Sequence, residues 1–261
     1  MMILYHGATS VCSQKARLAL AETGTSYESA LLDLTKGEHM TPQYRALNPD
    51  AVVPTLVHDG LVVRESSLIV DHVDRTAGGG LMPREAPAAA ASRLWLVRTL
   101  AIHEAVNSLT FATVIREQER ARRTPAEMEA WLASTPNPQI AAKRRDLMEK
   151  GPESVFVDGA LHVLAGVLRD MAAALEGGVW LCGGTYSISD LALTAYVDRL
   201  ERLGMAQLWE GRYPSVAVWL SSCRSRASYA SAIEDYVPAG SAAAVRAAGA
   251  RAWPAIAARL R

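Results

Sequence analysis

Residues 52–67 hold the groups best suited to bind a small acidic peptide. Pro54 cannot donate a ladder hydrogen bond, so it belongs at the head of its strand, where an X–Pro bond can be cis. With that bend, Val53 turns its backbone N–H and C=O outward, and an extended peptide can pair with them. Glu65, Ser66 and Ser67 precede the apolar run Leu68-Ile69-Val70 and read as a helix start, where short oxygen side chains satisfy orphan amides. Such a start also suits a carboxylate. Main-chain pairing at Val53 and an anion seat at Ser66 together imply recognition of an extended peptide with a charged end.

The elements that must position these groups are legible on either side. Thr55 to His58 and Leu61 to Arg64 are rich in β-branched residues, and Asp59-Gly60 between them is a hairpin signal. Upstream, Met2 to Tyr5 reads as a strand and Ser26 to Leu32 as another. Val11 to Glu22 between them has a helical stripe of Cys12, Ala16, Leu18, Ala19 and Leu20, with Gln14, Lys15 and Arg17 outside. Gly24 suits the end of that helix. Lys36 to His39 is loop, Thr41-Pro42 caps a short helix, and Asn48-Pro49 ends it. The order is β-α-β-α-β-β-α, with the first two strands parallel through a right-handed crossover.

Gly78-Gly79-Gly80 and Pro83 to Pro87 form a linker, after which the pattern is helical throughout. Ala88 to Glu119, Val155 to Glu176, Ser189 to Leu203 and Tyr213 to Arg226 are amphipathic stretches. Residues 120–152, interrupted by Pro125, Pro136 and Pro138, are expected as an irregular excursion containing a basic helix at Lys143-Arg144-Arg145, its charges on a solvated face. The alanine-rich tail after Pro238 sets Val245, Trp253, Ile256 and Leu260 at near-helical spacing.

Half of the 261 residues are hydrophobic, enough for a large core, and 27 basic side chains balance 27 acidic ones. That balance argues against a nucleic-acid or anionic-membrane partner. Cys12, Cys182 and Cys223 are too sparse for a disulfide framework and lack metal-type spacing, which fits a reducing compartment. With no signal-like start and no membrane-length apolar run, a cytoplasmic protein is expected, without a metal.

Ser10 to Leu20, Lys36-Gly37-Glu38-His39, Leu47-Asn48-Pro49, Val53-Pro54-Thr55-Leu56 and Glu65-Ser66 together resemble the thioredoxin-like domain of cytosolic glutathione transferases, theta- and zeta-like members above all. Ser187-Ile188-Ser189-Asp190 is similar to that family's buried capping box. The resemblance implies an α/β plus all-α fold: a thioredoxin-like glutathione-binding domain at 1–78, a linker at 79–87, an all-helical substrate domain at 88–240 and a tail helix at 241–261. It implies a homodimer binding glutathione, with no metal, and a small hydrophobic electrophile. Val53, with Pro54 cis, would pair with the cysteinyl unit. Glu65 and Ser66 would hold the γ-glutamyl end, and His39 and Lys36 the glycyl end. Relatives often carry Gln or Lys before the valine; Val52 stands here and can donate nothing from its side chain. His103, Asn107, Thr110 and Phe111 would line the electrophile cleft.

Glutathione thiol is mostly protonated at neutral pH, so a transferase must stabilise the thiolate, and the start of the first helix offers amides and a positive dipole end. Ser10 matches the family's catalytic hydroxyl. Ser13 is a second hydroxyl able to face the same sulfur. Cys12 matches a cysteine found in zeta-like isomerases and the related reductive dehalogenases; in the dehalogenases it attacks a glutathionyl intermediate by thiol–disulfide exchange. The implied activity is glutathione transfer to an electrophile. The alternatives are a reductive dehalogenase, β-etherase or isomerase using Cys12, and a non-catalytic glutathione-binding protein. Asp190, Cys182 and Cys223 read as structural.

Overall fold

Asp59 (φ 47°) and Gly60 (φ 87°) both take positive φ, the backbone of a two-residue hairpin turn whose twist matches the strands it joins. The computed structural model describes residues 1–260, so the last residue of the expected tail helix lies outside the described residues. Its first part runs β1 (Met2–Gly7), α1 (Val11–Thr23), β2 (Glu28–Leu32), α2 (Pro42–Leu47), β3 (Thr55–His58), β4 (Leu61–Val63) and α3 (Ser66–Thr76). The sheet order is β2-β1-β3-β4; β1 runs parallel to β2, and β3 is antiparallel to both β1 and β4. This is the thioredoxin-like arrangement expected.

The second part is helical: α4 (Ala86–Thr110), α5 (Arg116–Arg122), α6 (Pro125–Ala133), α7 (Pro138–Lys150), α8 (Val155–Ala174), α9 (Ile188–Arg202), α10 (Pro214–Arg224), α11 (Ala227–Ala232) and α12 (Ser241–Ala257). The expected run from Ala88 to Glu119 is interrupted by a π-helical turn at Phe111–Ile115 before α5 begins. The expected irregular excursion at 120–152 is corrected: it is mostly helix. Thr124 closes a capping box with Glu127 ahead of Pro125, and the Asn137 side chain caps the helix that Pro138 opens. Both prolines sit at helix starts, where a missing N–H costs nothing.

The linker is fastened. The buried Asp74 carboxylate accepts from the N–H groups of Gly80, Leu81 and Met82 at 2.9, 2.9 and 3.0 Å. Leu81 C=O in turn accepts from Ile188 N–H at 2.9 Å, joining the linker to the start of α9. That start is a full capping box. Asp190 accepts from Ser187 N–H and Oγ–H at 2.9 and 2.8 Å, from Leu181 N–H at 2.9 Å and from Trp219 Nε1–H at 2.8 Å. Burial raises its pKa, and those four donors oppose the rise.

The expectation that Gln14, Lys15 and Arg17 face outward is also corrected, because all three are buried. One side of α1 lies against the first part through α3, and α9 and α11 of the helical part cover the other. No face of that helix is left for solvent. At the far end α12 closes on the second part: a Cβ added at Gly249 would lie 1.6 Å from Leu203 O, so only glycine permits this approach. Arg251 and Arg259 of the tail pair with Glu117 and Asp158. Among the described residues, no helix is long and apolar enough to cross a membrane.

Candidate functional site

The loop between β1 and α1 is held by its carbonyls. Buried Arg17 donates to Gly7 O at 3.2 Å and Ala8 O at 2.8 Å, and Arg199 donates to Thr9 O. A trans peptide sets N–H opposite C=O, so the amides that follow these carbonyls tend to point away from the arginines. Arg17 itself is fixed by Ala232 O at 2.7 Å and His6 Nδ1 at 2.9 Å, with its guanidinium over the Tyr236 ring at 3.8 Å. Burial, helped by Arg17, pulls the His6 pKa down to about 4, so the ring is neutral and accepts this bond.

At the start of α1, Ser10 is the N-cap, its Oγ accepting from Ser13 N–H at 3.3 Å; its own O–H remains able to donate. Ser13 is buried, and its Oγ accepts from Gly7 N–H at 3.1 Å, which turns it back on the loop rather than toward a ligand. Cys12 faces the helical part. Its Sγ lies 3.3 Å from His103 Nδ1 and 3.8 Å from the Tyr196 hydroxyl. Burial pushes this thiol up, but His103, Lys15 and Ser66 more than offset that and bring it down from 9.0 to about 7. Lys15 is the buried counter-charge: its Nζ donates to Ser67 Oγ at 2.9 Å and Thr99 Oγ1 at 3.3 Å, and burial lowers its own pKa to about 8 against the pull of Cys12 and Glu65.

The Val53–Pro54 peptide is cis, as expected. The β1–β3 ladder begins at Thr55, so Val53 lies beyond it. Asn48 explains its own presence here. Its Nδ2 donates to Val52 O at 2.9 Å and Thr55 Oγ1 at 3.1 Å, and the Tyr44 hydroxyl binds the same two oxygens. Two buried side chains, one in α2 and one just past its end, thus hold the bend. The expected capping of α3 is corrected: Glu65 is the N-cap residue with φ 67° and ψ 113°, and no side chain caps this helix. A non-glycine residue in that region is strained, and such strain gathers at ligand sites. Ser66 is buried beside Cys12 and Tyr196, while Glu65 is exposed.

Lys36 and His39 line a cavity of about 210 Å³ shared with Val52 and with Arg123, Trp131 and Arg144 from the helical segment after α4. Of the four residues expected along the cleft, His103, Asn107 and Phe111 lie four apart on one half-buried face. Thr110 does not join them: it is buried, and its hydroxyl donates to Val106 O at 2.7 Å. The Lys143–Arg145 run is a solvated face only in part, at Arg145. Lys143 pairs with Glu104 and Arg145 with Glu129, both at 2.6 Å, and Arg144 is half-buried over the Phe111 ring at 5.3 Å.

Sequence reasoning missed Lys15, Tyr196 and Arg144. Lys15 carries one usable signal, standing three residues after Cys12 and so on the same side of α1. Tyr196 and Arg144 meet their partners only through tertiary packing.

The profile of a glutathione S-transferase N-terminal domain matches residues 4–80. A human relative, ganglioside-induced differentiation-associated protein 1-like 1, is 26% identical over 90% of this chain and 74% of its own. The tetrachloro-p-hydroquinone reductive dehalogenase of Sphingobium chlorophenolicum is 28% identical over 88% of this chain and 94% of its own. The solved β-etherase LigF from Sphingobium sp. strain SYK-6 superposes with a TM-score of 0.78, covering 90% of this chain and 99% of its own at 24% identity, a likeness of fold.

Proposed function

We propose, on the premise that this chain belongs to the glutathione S-transferase family, that it binds glutathione along Val53 and activates its thiol for attack on a small hydrophobic electrophile. One observation carries this reading. An uncapped, strained helix start at Glu65–Ser66 lies beside Cys12 at the start of α1, and the main chain at Val53, ahead of β3, lies outside the ladder. The γ-glutamyl carboxylate seats at the α3 amides, and the cysteinyl unit pairs with Val53. The Ser10 hydroxyl donates to the thiolate. That interaction exists only once the proton has left, so it lowers the barrier rather than merely tightening binding. Calorimetry with glutathione, followed by ultraviolet titration of the bound thiol, tests the reading. A pKa for bound glutathione well below that of the free tripeptide is expected; an unshifted thiol indicates a carrier, and no binding at millimolar ligand removes the proposal.

The short distance between Cys12 and His103 favours a second, reductive reading. Thiolate conjugation to a halophenol in its keto form, whose carbon can later leave sulfur with its electron pair stabilised by the carbonyl, releases halide and gives R–SG. The Cys12 thiolate attacks the glutathionyl sulfur, the S–R bond breaks, and the leaving R takes a proton from the His103 imidazolium as R–H. A second glutathione then attacks the Cys12–glutathione disulfide, releasing glutathione disulfide and the free cysteine. Two thiols are oxidised as one carbon–halogen bond is reduced. Cys12→Ser should stall this cycle with R–SG accumulating; full reductive turnover in that variant eliminates it.

The same family premise makes the chain a homodimer. Leu68, Leu94, Val97 and Leu100 on α3 and α4 support this, being 57–66% exposed and clustered on two adjacent helices. Light scattering at micromolar concentration should give twice the 28.1 kDa chain mass.

A further inference from the structure

We infer that Arg144, from the helical part, joins His39 to complete a carboxylate clamp for the glycyl end of the bound tripeptide, closed over it by the segment after α4. The inference rests on the glutathione reading above, since it assigns the third residue of the same ligand. Val52 lies one residue from the main chain proposed to pair with the cysteinyl unit, and it lines the cavity that also holds Lys36, His39, Arg123, Trp131 and Arg144. The cavity, at about 210 Å³, far exceeds the roughly 30 Å³ share of one water.

Its charges do not balance. Asp50 is the acid in the wall, and Lys36 leans on Asp33 at 3.4 Å. Arg123 is matched by Glu119 at 2.9 Å. Arg144 donates to Thr135 Oγ1 at 3.0 Å but, among the described residues, has no carboxylate at ion-pair distance. The nearest acid whose field it feels, Glu104, is held by Lys143 at 2.6 Å. His39 Nδ1 is buried without a hydrogen-bond partner. Burial and the neighbouring Arg144 keep its ring on the neutral side, so it can offer Nδ1–H to an anion. An unmatched guanidinium beside an unsatisfied imidazole nitrogen is costly unless an anion completes the set. A planar carboxylate fits a guanidinium fork. Val52 cannot supply a side-chain donor from the loop ahead of β3, and Arg144 supplies one from the opposite wall.

The test uses glutathione and its glycyl monoethyl ester, which removes only this carboxylate's charge. The native protein should bind the acid roughly tenfold to hundredfold more tightly than the ester, as expected for losing a charged hydrogen-bonded pair. Arg144→Ala should lower affinity for the acid to that for the ester and leave the ester unchanged, while Arg144→Lys restores part of the preference. Equal affinity of the native protein for acid and ester overturns the clamp, as does a preference that survives in Arg144→Ala. If Arg144→Ala does not melt cooperatively, the native comparison and Arg144→Lys decide the matter. Dependence on Arg144 only in the KM of a carboxylated electrophile, with glutathione affinity unaltered, also overturns it. Failure of the native protein to bind either form instead defeats the glutathione reading, and the clamp with it.

Discussion

Two helix starts in this chain combine an acid with serines within four residues, and they behave in opposite ways. At the start of α9, Asp190 is fully buried and accepts four hydrogen bonds, from Ser187 twice, Leu181 and Trp219. At the start of α3, Glu65 is exposed at φ 67°, and no side chain caps the helix. Residue type does not separate them; saturation does. A start whose donors and acceptors are all answered within the chain is part of the scaffold. A start left unanswered and strained has capacity for a ligand. The start of α1 lies between these extremes, capped by Ser10 yet presenting Cys12 to the cleft.

The largest expected break in this contrast is Asp190→Ala. It strands buried donors from three elements and should cost roughly 3–5 kcal/mol of stability, read as a lower urea midpoint, while molecules that remain folded bind glutathione normally. Next is His103→Ala at the intermediate start. The thiolate is the reactive form, so iodoacetamide labelling of Cys12 should rise with pH through about 7 and level off above it. Without His103 the midpoint should move up toward 9.0; an unmoved profile would show that Lys15 and the helix start suffice. Ser66→Ala tests the open start and should weaken glutathione binding about tenfold, with less than about 1 kcal/mol lost from stability. The smallest effect carries the sharpest sign. Glu65→Gly relieves a positive φ and should raise stability by up to about 1 kcal/mol while weakening binding, the reverse of Asp190→Ala.

What the sequence discloses follows the range of the interactions involved. Asp59-Gly60, Thr41-Pro42 and the box at Ser187–Asp190 act within a few residues, and each was legible with its physical reason. The proposed cradle of Val53, Glu65 and Ser66 is readable as a pattern, since strand, turn and helix follow one another directly. Lys15 was misread because a helix-wheel argument assumes one solvent face, and α9 and α11 remove it. The error at residues 120–152 was different. Thr124-Pro125 and Asn137-Pro138 are local helix-start signals, but prolines in a charged stretch read as readily as breakers as they do as first residues. The same ambiguity leaves Arg144 unremarked, since its partner in the proposed clamp, His39, lies on the segment before α2.

The Cys12 thiol belongs to the front part of the chain, whereas the imidazole and phenol that meet it, His103 and Tyr196, come from the rear. A chimera grafting residues 1–78 onto another relative's helices would carry Val53 and Ser66 of the proposed tripeptide seat, and leave behind both Arg144 and the groups that set the thiol's acidity. Over descent, then, the two parts could exchange freely as architecture but not as chemistry: drift on either side of the seam retunes the same sulfur.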